Sequence, residues 1–254
     1  MRVRAIAINT FREAVQDKVL YTLLAFALVV IVGSLLVGSL TLGEEVKIIK
    51  DMGLAAISLF GTLIAIFVGV GLVYREIDKK TIYTILSKPI HRYEFLLGKF
   101  LGLVLTLFVE LAVMTGGLLV LLAVYEGGID LGLLKGVLLL FFELLVVIAI
   151  ALLFSSFSTP ILSGIFTLAL YVIGHLLREL RLIGGGAASD AARWLVRAAY
   201  YLLPDLETFN VRAEVAHGEP VPWGYVAWAV VYGLVYLAAV LFLTSFIFSR
   251  RDFL

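Results

Sequence analysis

The sequence predicts an all-α integral membrane protein with six transmembrane helices, an interfacial helix at its N-terminus and a cytoplasmic helix between spans 2 and 3. Three observations predict it. Of the 254 residues, 62% are hydrophobic, against about 45–50% in an ordinary soluble domain. Charged residues make up 15% and are clustered rather than spread. Apolar runs of about twenty residues recur along the chain, and at 1.5 Å per residue that length crosses a hydrocarbon core of about 30 Å. In lipid every backbone group must be satisfied within the chain, so apolar runs without alternation are helices.

Residues 1–18 interleave cations with apolar residues. Ile8, Phe11 and Val15 fall at helical spacing, with Arg4, Asn9 and Arg12 on other faces. This predicts an amphipathic helix in the membrane interface. The segment carries charge throughout and has no short apolar core before a small-residue cleavage site, so it does not read as a cleaved signal peptide. The six spans are placed at 19–40, 53–74, 95–124, 133–154, 161–177 and 223–248, the third being long enough to project from the bilayer. A single transmembrane domain over 1–254 is expected, with 1–18, 75–93 and 178–222 as its non-spanning segments. No internal repeat is visible.

Orientation follows from Lys and Arg. The N-terminal segment, the 75–99 island and the C-terminal SRRDFL together hold 12 of the 20 cations. An even number of spans puts all three on one side, and the excess of positive charge places that side, with both termini, in the cytoplasm of a plasma membrane. The loop LGEEVKIIKDMG, with two cations against three acids, then lies outside. The SSFSTP turn at 155–160 is cytoplasmic. After the fifth span, Ser189 and Asp190 resemble helix caps. In AARWLVRAAYYLL, Trp194, Leu195, Ala198 and Tyr201 or Leu202 share a face, predicting a helix on the outer membrane surface with Trp194, Tyr200 and Tyr201 as anchors. The stretch from Pro204 to Pro222 reads as a polar outer loop.

The island REIDKKTIYTILSKPIHRYEFLLGK carries six cations (Arg75, Lys79, Lys80, Lys88, Arg92, Lys99) and three acids (Glu76, Asp78, Glu94) between two spans. Glu76 and Lys80 are four apart, in the favourable order on a helix. Ile82, Ile85 and Leu86 form a small apolar patch, and Pro89 ends the helix. A short charged helix with an apolar patch is suited to docking in a groove of another protein. A solvated connector is the plainer reading.

Within the spans, Glu110 and Glu143 stand out, because a charge near mid-bilayer is costly and usually faces a bundle interior or a watery path. They either line a substrate path or relay a proton, or they are neutral acids bonded to a neighbouring helix. His175 is expected to be an interfacial polar residue rather than a ligand; His91 and His217 receive no role. Gly98 and Gly102 form a G-x-x-x-G pair that lets helices approach closely, and Gly61, Gly69 and Gly71 have the same use in the second span. With no cysteine there is no disulfide, thiolate metal site or cysteine nucleophile. The scattered histidines suggest no metal site. Gly98-Lys99 runs into Phe100 and lacks an upstream glycine, so it is not a phosphate-binding loop.

The string GLVYREIDKKTIYTILSKPIHRYEFLLGKFLG resembles the corresponding stretch of ABC-2-type transporter permeases. There a glutamate follows the second span, a helix ends near an LLS-x-P element (here Ile85 to Pro89), and R-x-E-F-L-x-G-K follows (here Arg92 to Lys99). The likeness extends to the interfacial start, the Asp17–Leu24 opening of the first span, the six spans and SRRDF. It is nearest the group that includes the nitrous-oxide-reductase maturation permease. The resemblance implies a half-transporter, a homodimer or heterodimer of permeases paired with cytoplasmic ATP-binding-cassette subunits, in contact with membrane lipid. ATP and magnesium would sit on those subunits and no cofactor on this chain. It makes 76–88 the coupling helix, with Glu76, Lys80, Ile82, Ile85, Leu86 and Pro89 at the ATPase-docking surface. Export is the expected direction. The outer loop offers a surface for an extracytoplasmic partner; nucleic acid is not an expected one. The competing readings are an integral membrane enzyme, for which Glu110, Glu143 and His175 show no catalytic spacing, and an ion-coupled carrier or non-catalytic assembly subunit using Glu110 and Glu143. The transported substrate is not legible.

Overall fold

The computed structural model describes residues 2–41, 43–78, 92–126, 131–185, 198 and 200–250, with 89% of the structure helical and no strand among them. Among the described residues eight α-helices have both bounds defined: α1 (Arg2–Val15), α2 (Lys18–Gly38), α3 (Glu45–Asp78), α4 (Arg92–Glu126), α5 (Leu131–Ser155), α6 (Pro160–Gly185), the short α7 (Arg212–Ala216) and α8 (Trp223–Arg250). A 3₁₀ turn at Leu206–Phe209 precedes α7. The six long helices α2 to α6 and α8 are each long and apolar enough to cross a membrane. The start of α2 and the end of α8 therefore lie at one end of the bundle, called here the terminal end, and Pro204–Pro222 lies at the far end.

Sequence signals explain where the helices break. Asp17 caps α2, its carboxylate accepting from the Val19 N–H at 3.0 Å, which satisfies one of the donors a helix start leaves free. Pro160 opens α6 at the first helical position, where its missing N–H costs nothing. Gly218, at φ 73°, ends the turn after α7, a left-handed conformation that glycine adopts without steric cost.

α3 and α5 form the centre. In their apolar windows 61% and 67% of positions are buried, against 22% in α2, α6 and α8, which present their remaining faces outward. α3 packs against α2, α4 and α5. A Cβ on Gly61 would come within 2.8 Å of Leu144 on α5, and one on Gly69 within 3.0 Å of Ala151, so both allow close packing. Gly71, expected to do the same, faces open space.

Three expectations about segments change. First, α3 begins at Glu45 rather than near 53, so most of the expected outer loop is helical. Ile49 is fully buried there, close to Gly38 of α2, and this packing carries the helix past its apolar run. Second, α1 packs against α4 on a face the sequence did not single out, burying Thr10 and Ala14. Small residues allow the closer approach, and Ile8 remains 37% exposed. Third, Pro204–Pro222 is not a solvated loop. Leu206, Phe209, Val211, Val215 and Val221 are all buried.

Candidate functional site

The far end of the bundle is closed by this buried segment. Leu206 sits against Gly174 of α6, and Phe209 against Gly233 of α8; a Cβ at these positions would meet them at 2.8 Å and 3.0 Å. Polar contacts fix the segment between α6 and α8. Arg178 donates to Asp205 Oδ2 at 3.2 Å and to Thr208 Oγ1 at 3.1 Å, and Thr208 Oγ1 donates to the same carboxylate at 3.1 Å. Tyr232 accepts from the Asp205 N–H at 2.8 Å, and Tyr225 donates to the Thr208 carbonyl at 2.7 Å. Trp228 and Tyr232 stack on α8 at 5.8 Å between ring centroids. Lys135 of α5 donates to the Val221 carbonyl at 2.8 Å and lies 4.7 Å over the Trp223 ring.

Beneath this cap is a cavity of about 160 Å³, lined in part by Ser58, Glu143, Tyr171, His175, Asn210 and Arg212. α3, α5 and α6 supply its inner wall, and the residues between the 3₁₀ turn and α7 supply its rim. On the rim Arg212 Nε lies 2.8 Å from Asp51 Oδ1, tying the cap to α3. In the wall, His175 Nε2 lies 3.4 Å from Glu143 Oε1. His175 Nδ1 lies 3.1 Å from the Tyr171 carbonyl. A carbonyl only accepts, so this network assigns the hydrogen to Nδ1 and leaves Nε2 facing the carboxyl. The Tyr171 ring tilts against His175 at 4.5 Å, and its hydroxyl faces Glu143 and Ser58. His175 is thus no isolated interfacial residue.

Glu110 is also buried, at 4% exposed, and its Oε2 has no hydrogen-bond partner among the described residues. It lies midway along α4 and is not among the residues lining the cavity, so the structure does not bring the two span acids into one site.

At the terminal end, Gly98 and Gly102 lie under α1. A Cβ on Gly98 would meet Ile6 at 2.7 Å, and one on Gly102 would meet Thr10 Cβ at 2.5 Å and the Ala7 carbonyl oxygen at 2.7 Å. Beside them Lys99 of α4, only 1% exposed, lies 3.6 Å from Glu13 of α1. Of the expected docking surface, Glu76 lies on the last turns of α3. Lys80, Ile82, Ile85, Leu86 and Pro89 lie outside the described residues, as does Trp194.

Ser58, Tyr171, Asn210 and Arg212 carried no signal in the sequence. They sit on three separate stretches, and only folding brings them together. Among the described residues no group of three or more His, Asp or Glu could hold a metal ion.

No curated protein matches the chain. A family model described as ABC-2 family transporter protein matches residues 4–253. That range takes in most of α1, all six spans, the charged island and the far-end cap. The match is to the family as a whole and does not single out the nitrous-oxide-reductase maturation group within it. The chain belongs to the ABC-2 family of transporter membrane proteins.

Proposed function

We propose that the chain is the permease subunit of an ATP-driven exporter, working with a second permease copy or a related one. ATP is hydrolysed by a separate cytoplasmic cassette subunit that docks on the island through Glu76, Lys80, Ile82, Ile85, Leu86 and Pro89. The observation that carries this reading is the family match over 4–253 in a chain without a phosphate-binding loop. The charge pattern supports the orientation, because the island and both termini hold most of the cations and so face the cytoplasm.

The terminal-end packing supports a mechanical route. α4 starts at Arg92, within the island, and is joined to α1 by the glycine contacts and the Lys99–Glu13 pair. A push on the island is passed to α4 and α1 together. At 35 residues α4 is roughly 50 Å long, so it carries the displacement across the whole bilayer.

The test is a triple substitution, Ile82→Asp, Ile85→Asp and Leu86→Asp. The expected result is a protein that folds with its spans intact and no longer co-purifies with the ATPase. Co-purification at wild-type yield, with wild-type ATPase activity, would overturn the docking assignment.

A further inference from the structure

Beside the far-end cavity one carboxyl oxygen has no hydrogen-bond partner among the described residues. Glu143 Oε1 accepts no hydrogen bond, and its side chain is 3% exposed. A buried acceptor left in that state costs free energy that a donor would recover. His175 faces it at 3.4 Å, but Nδ1 already donates to the Tyr171 carbonyl, so in the neutral ring Nε2 is a second acceptor. Two adjacent acceptors in a cavity wall are the recognition pattern for a group with several hydrogens to donate.

The surrounding charge favours a cation. Glu207, on the 3₁₀ turn of the cap, brings a further acidic group to this end of the bundle. The cation on the rim, Arg212, is paired with Asp51, so it offsets little of that negative charge. Leu54, Leu140, Val211 and Phe209 add apolar wall beside the polar groups Ser58 and Asn210. The Phe209 and Tyr171 rings are part of the lining, and aromatic rings attract cations. At about 160 Å³ the cavity is comparable to an engineered protein cavity of about 150 Å³ that accepts benzene.

We propose that this cavity binds a small organic cation, a primary ammonium on a body of about benzene size, with Glu143 Oε1 and His175 Nε2 accepting from the ammonium. The site goes beyond the ATPase partnership and does not rest on it, because binding is read on this chain alone.

The experiment is a ¹⁹F NMR titration of 4-fluorobenzylamine into the full-length chain in lipid nanodiscs. Empty nanodiscs correct for partitioning, and 4-fluorobenzyl alcohol is the uncharged control. Saturable binding of the amine is expected, with the alcohol binding at least tenfold more weakly. Glu143→Gln is expected to weaken the amine at least tenfold. Ser58→Leu fills the cavity while keeping both acceptors and is expected to abolish binding. Variants are compared only where they elute as the wild type does; the amine-against-alcohol contrast needs no variant. No saturable binding to the wild type, equal binding of amine and alcohol, or unchanged binding in a folded Glu143→Gln or Ser58→Leu protein would overturn the proposal.

Discussion

Replacing Gly102 by alanine tests whether α1 and α4 move as one body. The added Cβ would lie 2.5 Å from Thr10 Cβ and 2.7 Å from the Ala7 carbonyl oxygen. Ordinary contact begins near 3.4 Å, so the shortfalls are about 0.9 Å and 0.7 Å. One obstacle is backbone and the other is the Cβ of a β-branched residue, so no side-chain rotation relieves either. α1 must shift away, and overpacking of this kind costs about 1–3 kcal/mol. Alanine also gains about 1 kcal/mol over glycine inside a helix, which would mask part of the loss. Gly116→Ala removes that ambiguity. It lies in the same helix with nothing within 4 Å of its added Cβ, so it gains the propensity without the clash. The difference between the two variants is then the clash alone, about 1–3 kcal/mol, or about 2–4 °C of Tm per kcal/mol for a chain of this size. The assay is thermal unfolding of both variants in one detergent. Spin labels on cysteines introduced at Asn9 and Leu101 add a distance readout, and the chain has no native cysteine to interfere. Gly102→Ala should melt lower than Gly116→Ala and show α1 displaced. Equal melting temperatures with an unchanged label distance would refute the packing argument.

Other outcomes follow from the far end. Phe209→Ala removes a ring that is 2% exposed and packed on Gly233 and Tyr232. It should cost about 3–5 kcal/mol, read as a lower Tm, with faster tryptic cleavage at Arg212 as the cap loosens. A double-mutant cycle on Arg178 and Asp205, whose side chains are 51% and 20% exposed, should give a coupling of about 0.2–1 kcal/mol that falls with added salt. Glu44 lies outside the spans. Its carboxyl is held below the usual range by the hydrogen bond from Lys47, at 2.9 Å, and by that residue's charge. A carboxylate lowered in the fold contributes above its unfolded pKa, and the contribution is lost as pH falls through the folded value. In a carboxyl-carbon NMR titration, Lys47→Met should therefore move the Glu44 midpoint up, toward an ordinary glutamate.

The spans were legible because hydropathy and length are local properties, and bilayer thickness converts one into the other. The far-end cap was not. In PDLETFNVRAEVAHGEPVP the apolar residues are few and follow no single period, and their receiving notches, Gly174 and Gly233, are distant in sequence. The contact between Glu143 and His175 was equally hidden. Each residue could be recognised as unusual in its own span, but their meeting depends on the register between α5 and α6. Ser58 and Tyr171 looked like ordinary members of apolar runs. On α1 the larger apolar residues were readable, while Thr10, which packs on Gly102, and the buried Ala14 gave no signal.

The central claim is that this permease works with a separate ATPase. The most direct measurement is to tag the C-terminus, purify the protein gently from its own membrane and identify what accompanies it by mass spectrometry. The account predicts an ATP-binding-cassette subunit in roughly stoichiometric amount. An intact, monodisperse protein that carries no such subunit would contradict it and return attention to Glu110 and Glu143.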